Sequence, residues 1–143
     1  LPLIGGLPLG KTPEEKKAFN EAVDIRLKQK KCLVVYPEAH VWPYYTGIKK
    51  FPAGDRSFKY ATRNDLPIFT MTTTYHKRKN NKKGDLPRMD IYIDGPFWPD
   101  EKLSEEENRA KLAKEAYESL VKNSKHSTYD YFTYIKKDKK AKK

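Results

Sequence analysis

The sequence is poor in the residues that build disulfides and metal centres. It contains one cysteine, Cys32, and three histidines without the spacing of metal ligands, so we expect no metal site. A single cysteine cannot pair within the chain, which favours a reducing compartment and predicts a place in the core for Cys32. There is no apolar run of about 18 residues and no basic region ahead of residues 1–9, so neither a transmembrane helix nor a signal peptide is predicted.

Acidic residues are scarce relative to basic ones. The chain has 30 Lys and Arg against 19 Asp and Glu, which gives a net charge of +11. A surplus of this size favours an anionic partner, such as an anionic membrane, a phosphorylated substrate or nucleic acid. Part of it lies in a basic loop at 76–86 and part in residues 136–143, which we expect to form a disordered tail because they have almost nothing apolar to bury.

The first part of the chain predicts a helix followed by a strand. Thr12 and Glu15 make a capping box around a proline, and the helix is expected to run to about Lys30. The continuous apolar run at 32–36 predicts a strand covered on both faces, as in a parallel sheet. Because ligand sites in open α/β sheets lie beyond the carboxyl ends of strands, Glu38, just after that run, is well placed to act on a ligand.

The remaining elements are predicted from caps and periodicity. They are a short helix, two strands joined by the basic loop, a capped helix and a last strand-like segment, at 57–64, 66–75, 89–94, 104–123 and 129–135. Apolar and polar residues alternate at 89–94, the pattern of a strand with one wet face. The order predicts one α/β domain over residues 1–135, with a mixed sheet flanked by helices.

A series of blocks, in a fixed order, resembles a known family. The blocks are Val-Val-Tyr-Pro-Glu-Ala, Phe-Lys-Tyr-Ala, Leu-Pro-Ile-Phe-Thr-Met and Ile-Tyr-Ile-Asp-Gly-Pro-Phe, at 34–39, 58–61, 66–71 and 91–97. They resemble the Phe-Pro-Glu-Gly, short-helix, Val-Pro-Ile and Gly-x-Pro blocks of the glycerolipid acyltransferases, the PlsC-type or 1-acylglycerol-3-phosphate acyltransferase-like family. With the Glu-rich helix that follows and residues 3–11 in the place of the family's Gly-rich block, the resemblance covers roughly residues 1–123.

The resemblance implies an acyltransferase of phospholipid biosynthesis with a glycerol-3-phosphate acyltransferase-like fold. Such enzymes move an acyl chain from acyl-CoA or acyl carrier protein to a hydroxyl of a lysophospholipid or glycerol phosphate, and the resemblance implies no further cofactor. It also implies that a His-x-x-x-x-Asp motif supplies the general base and the carboxylate that orients it.

That catalytic motif is absent from this sequence. The residues five positions after the histidines are Tyr45, Asn81 and Tyr131. We therefore expect a domain truncated at its N-terminus, starting after the motif and inactive alone. Its parent protein would act on a glycerophospholipid acceptor as a peripheral protein at the cytoplasmic face of an anionic membrane.

The resemblance also implies where the acceptor binds. Tyr36, Pro37, Glu38 and Ala39 form the block that holds it, and we expect Glu38 to position the substrate. Lys11 and His40 complete the predicted substrate-binding set. His40 directly follows the block, and Lys11 stands near the position where the family's second block has an Arg. The family's Thr-Arg-Ser continuation is replaced here by His-Val-Trp at 40–42, so an Arg credited with gripping phosphate is missing.

Plainer interpretations of the same residues remain open at this point. Glu38 can be a loop carboxylate with local hydrogen bonds, and His40 can be a polar side chain on the surface. A set of aromatic rings can either pack the fold or lie at a membrane interface: Trp42, Tyr44, Tyr45, Phe97 and Trp98. The alternative function is a non-catalytic basic module that binds anionic lipid surfaces or nucleic acid.

Overall fold

The computed structural model describes residues 6–38, 42–51, 56–80, 82 and 85–135. Its elements in chain order are α1 (Pro13–Lys28), α2 (Lys59–Asn64), β1 (Ile68–His76), β2 (Arg88–Phe97) and α3 (Glu105–Ser124). Within these ranges the chain is a small α/β protein with three helices and a two-stranded antiparallel sheet. The predicted mixed sheet is not found in the described ranges, and the predicted tail at 136–143 lies outside them.

Both long helices begin at the predicted capping boxes. At α1, the Thr12 hydroxyl accepts from the Glu15 N–H and the Glu15 carboxylate accepts from the Thr12 N–H, each at 3.2 Å. Ser104 and Glu107 make the same reciprocal pair at the start of α3. These bonds satisfy N–H groups that lack a partner within the first helical turn. No helix in the described part of the chain has the length and apolar composition needed to cross a bilayer.

The strands β1 and β2 form the predicted hairpin across the basic connection. They are antiparallel, with Met71 opposite Ile93 and Tyr75 opposite Met89. The pairing is irregular near Ile68, where Gly95 adopts a φ of 119°. A Cβ on Gly95 would lie 2.6 Å from the Ile68 carbonyl oxygen, so this close approach of the two strands requires glycine.

The core lies between α3 and one face of the hairpin. Leu112 and Ala116 of α3 are buried against Phe58, which immediately precedes α2. Leu112 is fully buried, at the centre of this contact. On the side of the hairpin that faces α3, β1 contributes threonines: Thr70, Thr72 and Thr74 are all buried.

The opposite face of the hairpin is apolar, and no described part of the chain covers it. The alternation in β2 predicted a strand with one wet face, and it is the side that carries the apolar residues that is exposed. We call the following set, each 56–64% exposed, the open apolar face: Phe69, Met71, Met89, Ile91 and Ile93. The physical reason lies in α3, whose inward Ser119 and Asn123 hydrogen-bond to Asp94 and so draw the polar side of β2 inward.

Two predicted strands are wrong. Residues 32–36 and 129–135 form no strand, and both segments are largely exposed, with Tyr36 at 77%. Cys32 is exposed, so its predicted place in the core is also wrong. High β-propensity does not make a strand without a partner ladder. At the start of the second segment, Tyr129 and the preceding Thr128 instead donate their backbone N–H groups to the Tyr75 carbonyl.

The buried threonines of β1 differ in hydrogen bonding, and this generates a stability prediction. The Thr70 hydroxyl lies 2.7 Å from the Ser119 hydroxyl, whereas the Thr72 hydroxyl is buried without a hydrogen-bond partner among the described residues. Thr72→Val should therefore leave the free energy of unfolding unchanged or raise it by up to about 1 kcal/mol, because an unsatisfied group is removed. Thr70→Val, the matched variant, should lower it by about 1 kcal/mol. Urea denaturation measures both, and an equal loss in the two variants would contradict the assignment.

Candidate functional site

Glu38 is anchored in the loop that follows the exposed 32–36 segment. Its carboxylate Oε2 accepts the backbone N–H of Lys49 at 2.6 Å in a partly buried setting. This charge-assisted bond closes the loop and gives Glu38 a clear structural role. A carboxylate offers about four acceptor positions, so one backbone bond leaves Glu38 able to accept from a substrate hydroxyl as well.

The other predicted substrate-binding residues are placed less tightly or not described. Pro37 is half-buried and Tyr36 is exposed. Lys11 is exposed at the start of α1, where its backbone N–H donates to the Glu15 carboxylate at 2.7 Å. No hydrogen bond or ion pair within the described ranges links Lys11 to Glu38. Ala39 and His40 lie outside the described residues.

The loop after Glu38 carries a pair of aromatic rings that hold a cation. The ammonium of Lys49 lies 4.7 Å from the Trp42 ring centroid and 4.9 Å from that of Tyr45. We call these two rings the Trp42–Tyr45 clamp. The sequence placed both rings in this loop but gave no sign of the pairing with Lys49, because that pairing depends on how the loop folds back.

A second aromatic group joins this loop to β1 and to the last described segment. The Tyr44 ring makes edge contacts with Tyr75, Tyr131 and Phe132, with centroids 5.6, 5.0 and 5.6 Å away. Burial raises the pKa of the Tyr75 hydroxyl above its ordinary value. Of the rings that were expected either to pack or to face a membrane, Tyr44 packs, whereas Trp98 is exposed.

His76 brings together residue types that occur in nucleophile–base pairs. Its Nε2 lies 3.0 Å from the Thr74 hydroxyl and 3.4 Å from the Asp90 carboxylate, and its Nδ1 lies 2.9 Å from the Thr128 hydroxyl. Thr74 is fully buried, however, and its hydroxyl donates to the Asp90 carbonyl. A buried hydroxyl engaged in this way cannot reach a substrate, so the cluster fastens β1 to β2 and to the segment after α3.

The described residues contain no group of His, Cys, Asp or Glu that could hold a metal ion. A surface depression of about 440 Å³ lies where β2 ends against α3, lined in part by Trp98, Lys111 and Glu115. None of the predicted substrate-binding residues lines it. The loop from Glu38 to Lys49 is therefore the best-supported candidate site.

Comparison of the chain with protein-family models, with curated proteins and with solved structures gives no match in any of the three.

The polar contacts between β2 and α3 predict how stability depends on pH. Hydrogen bonds from Ser119 and then Asn123, with the ammonium of Lys122 at 3.9 Å, hold the pKa of Asp94 below its usual value. A carboxyl with a lowered folded-state pKa stabilises the fold above its unfolded pKa and loses that contribution as pH falls toward the folded value. Asp94→Asn should therefore be less stable than the parent at neutral pH, with the difference shrinking below about pH 4. Urea midpoints across pH test this, and a gap that stays constant down to acid pH would contradict it.

Proposed function

We propose that this chain is the C-terminal part of a glycerolipid acyltransferase domain. Its parent protein transfers an acyl chain from acyl-CoA or acyl carrier protein to a hydroxyl of a lysophospholipid or glycerol phosphate. The observation that carries the proposal is the ordered series of family-like blocks within roughly residues 1–123. A chance match of one short block is easy, whereas several blocks in the right order are much harder to obtain by chance.

The arrangement of these blocks in the fold supports the proposal. The block at 66–71 leads into β1 and the block at 91–97 ends β2, so the two lie side by side. They approach each other closely where Gly95 passes the Ile68 carbonyl. The Glu-rich helix, α3, packs across both strands. These two blocks and α3 thus form one packed unit, as parts of one domain would.

The open apolar face supports the truncated character of the domain. A sheet must bury its apolar side against a further layer, and the described residues provide none for the open apolar face. In our proposal, the part of the domain that carries the catalytic His and Asp covers this face. The described chain then supplies the acceptor side of the site and the sheet on which the catalytic part packs.

Charge supports a working position at an anionic lipid surface. The connection between β1 and β2 exposes a group of cations: Lys77, Arg78, Lys79 and Lys82. Each Lys or Arg close to an anionic bilayer contributes about 1 kcal/mol, an effect that salt weakens. We propose peripheral attachment at the cytoplasmic face, where the lipid acceptor and acyl product reside.

In this proposal Glu38 positions the acceptor for attack. The base, the His of the motif that this chain lacks, takes the proton of the acceptor hydroxyl as its oxygen attacks the thioester carbonyl. The thiolate then leaves and receives that proton, and the new ester remains. Glu38 contributes by accepting a hydrogen bond from the acceptor while its bond to the Lys49 N–H holds the loop in place.

Kinetics of the longer protein test this role of Glu38. Glu38→Gln should lower kcat/KM for the acceptor at least about tenfold, because a charged acceptor becomes neutral while the amide oxygen still accepts the Lys49 N–H. The matched control is Glu118→Gln, which changes an exposed side chain of α3 and should leave the kinetics unchanged. Near-normal kinetics for Glu38→Gln would remove Glu38 from the site. The 143-residue chain alone should show no thioester-dependent transfer, and turnover by it would refute the truncation.

The alternative function predicts no acyl transfer and a different pattern of binding. A non-catalytic module would bind anionic vesicles but support no transfer in any longer form of the protein. A nucleic-acid-binding module would bind RNA with a steep salt dependence and ignore the vesicles. Acyl transfer by the longer protein excludes both.

A further inference from the structure

The Trp42–Tyr45 clamp has the chemistry of an ammonium-binding site. Two ring faces present their negative quadrupoles to one cation, with the Lys49 ammonium under 5 Å from each centroid. Trp and Tyr rings are the common elements of the aromatic cages that recognise quaternary ammonium groups. Nothing in the acyl-transfer chemistry itself calls for such a pair of rings beside Glu38.

The clamp is held by contacts that do not involve the Lys49 side chain. The Tyr134 ring packs edge-on against both rings, with centroids 5.5 Å from Trp42 and 5.3 Å from Tyr45. Its hydroxyl donates to the Pro43 carbonyl at 2.6 Å, which fixes Tyr134 to the loop. Gly47 lets the Tyr45 ring come close, since a Cβ there would lie 2.8 Å from the Tyr45 hydroxyl oxygen.

The backbone of Lys49 holds the loop, whereas its side chain contacts the rings. Its N–H is bonded to Glu38, whereas its ammonium sits at the end of a flexible four-carbon stem. The side chain can therefore leave the clamp while the loop keeps its shape.

We propose that the clamp binds the trimethylammonium group of a choline head group and that Lys49 occupies it until the ligand arrives. A quaternary ammonium makes no hydrogen bonds and is weakly hydrated. It therefore loses less hydration free energy on moving between the rings than the Lys49 ammonium does. The displaced Lys49 ammonium is then free to pair with the phosphate of the same head group. If the acyltransferase proposal holds, the acceptor is a choline lysophospholipid; the binding itself does not depend on it.

Titration of the chain with choline tests the site directly. The two tryptophan indole N–H signals in an NMR spectrum report on the site and on a control, since Trp42 is in the clamp and Trp98 is not. Choline chloride should move the Trp42 signal saturably and leave the Trp98 signal in place, at constant ionic strength. The neutral isostere 3,3-dimethylbutan-1-ol should bind at least about fivefold more weakly, because it lacks the charge that the rings attract.

Variants separate this site from nonspecific binding. Lys49→Met removes the competing cation and should tighten choline binding about tenfold, whereas Lys50→Met at the exposed neighbouring position should not change it. Tyr45→Leu should weaken binding about fivefold or more while keeping Trp42 as the probe. Equal binding of the isostere, or no tightening in Lys49→Met, would overturn the proposal even if Tyr45→Leu fails to fold. Choline binding without acyl transfer by the longer protein would refute the acyltransferase proposal alone.

Discussion

The packing of α3 across one face of the β1–β2 hairpin is the interaction on which the described fold depends. A two-stranded sheet is marginal in water without a further layer, and among the described residues α3 supplies that layer. The contact is mixed in character, with Leu112 and Ala116 at its apolar end and the Thr70–Ser119–Asp94 hydrogen bonds alongside. Other elements attach to it: α2 through Phe58, and the site loop through Phe51, whose ring contacts Tyr117.

This polar interface explains the open apolar face. Because Asp94 is drawn to Ser119 and Asn123, the alternation of the strand sends its neighbours Ile91 and Ile93 to the other side. The result is a sheet with a covered polar side and an exposed apolar side, the reverse of what a free-standing hairpin would prefer. That reversal is the physical basis for proposing that more of the same domain packs there.

Local signals in the sequence predicted the elements that depend on nearby residues. Pairings between residues far apart in the chain were not predicted. The capping boxes at Thr12 and Ser104 fix where α1 and α3 begin, and both are confirmed. The strand expected at 32–36 is wrong because an apolar run cannot show whether a partner strand lies beside it. In the same way, the position of Glu38 after that run could be read from the sequence, but its bond to Lys49 and the ring clamp could not, since they arise from the loop folding back.

Two substitutions test most directly whether the face carrying Ile93 is open. One replaces Ile93 itself, and the other replaces Leu112, which α3 packs into the core on the opposite side of the hairpin. Ile93→Asn should change the free energy of unfolding by less than about 1 kcal/mol, because its side chain is already in water. Leu112→Asn, in the fully buried position of α3, should cost about 3 kcal/mol or more or prevent folding. A loss of stability in Ile93→Asn as large as that in Leu112→Asn, measured by urea denaturation of this chain, would show that the face is buried within it and would contradict the proposed covering by another part of the domain.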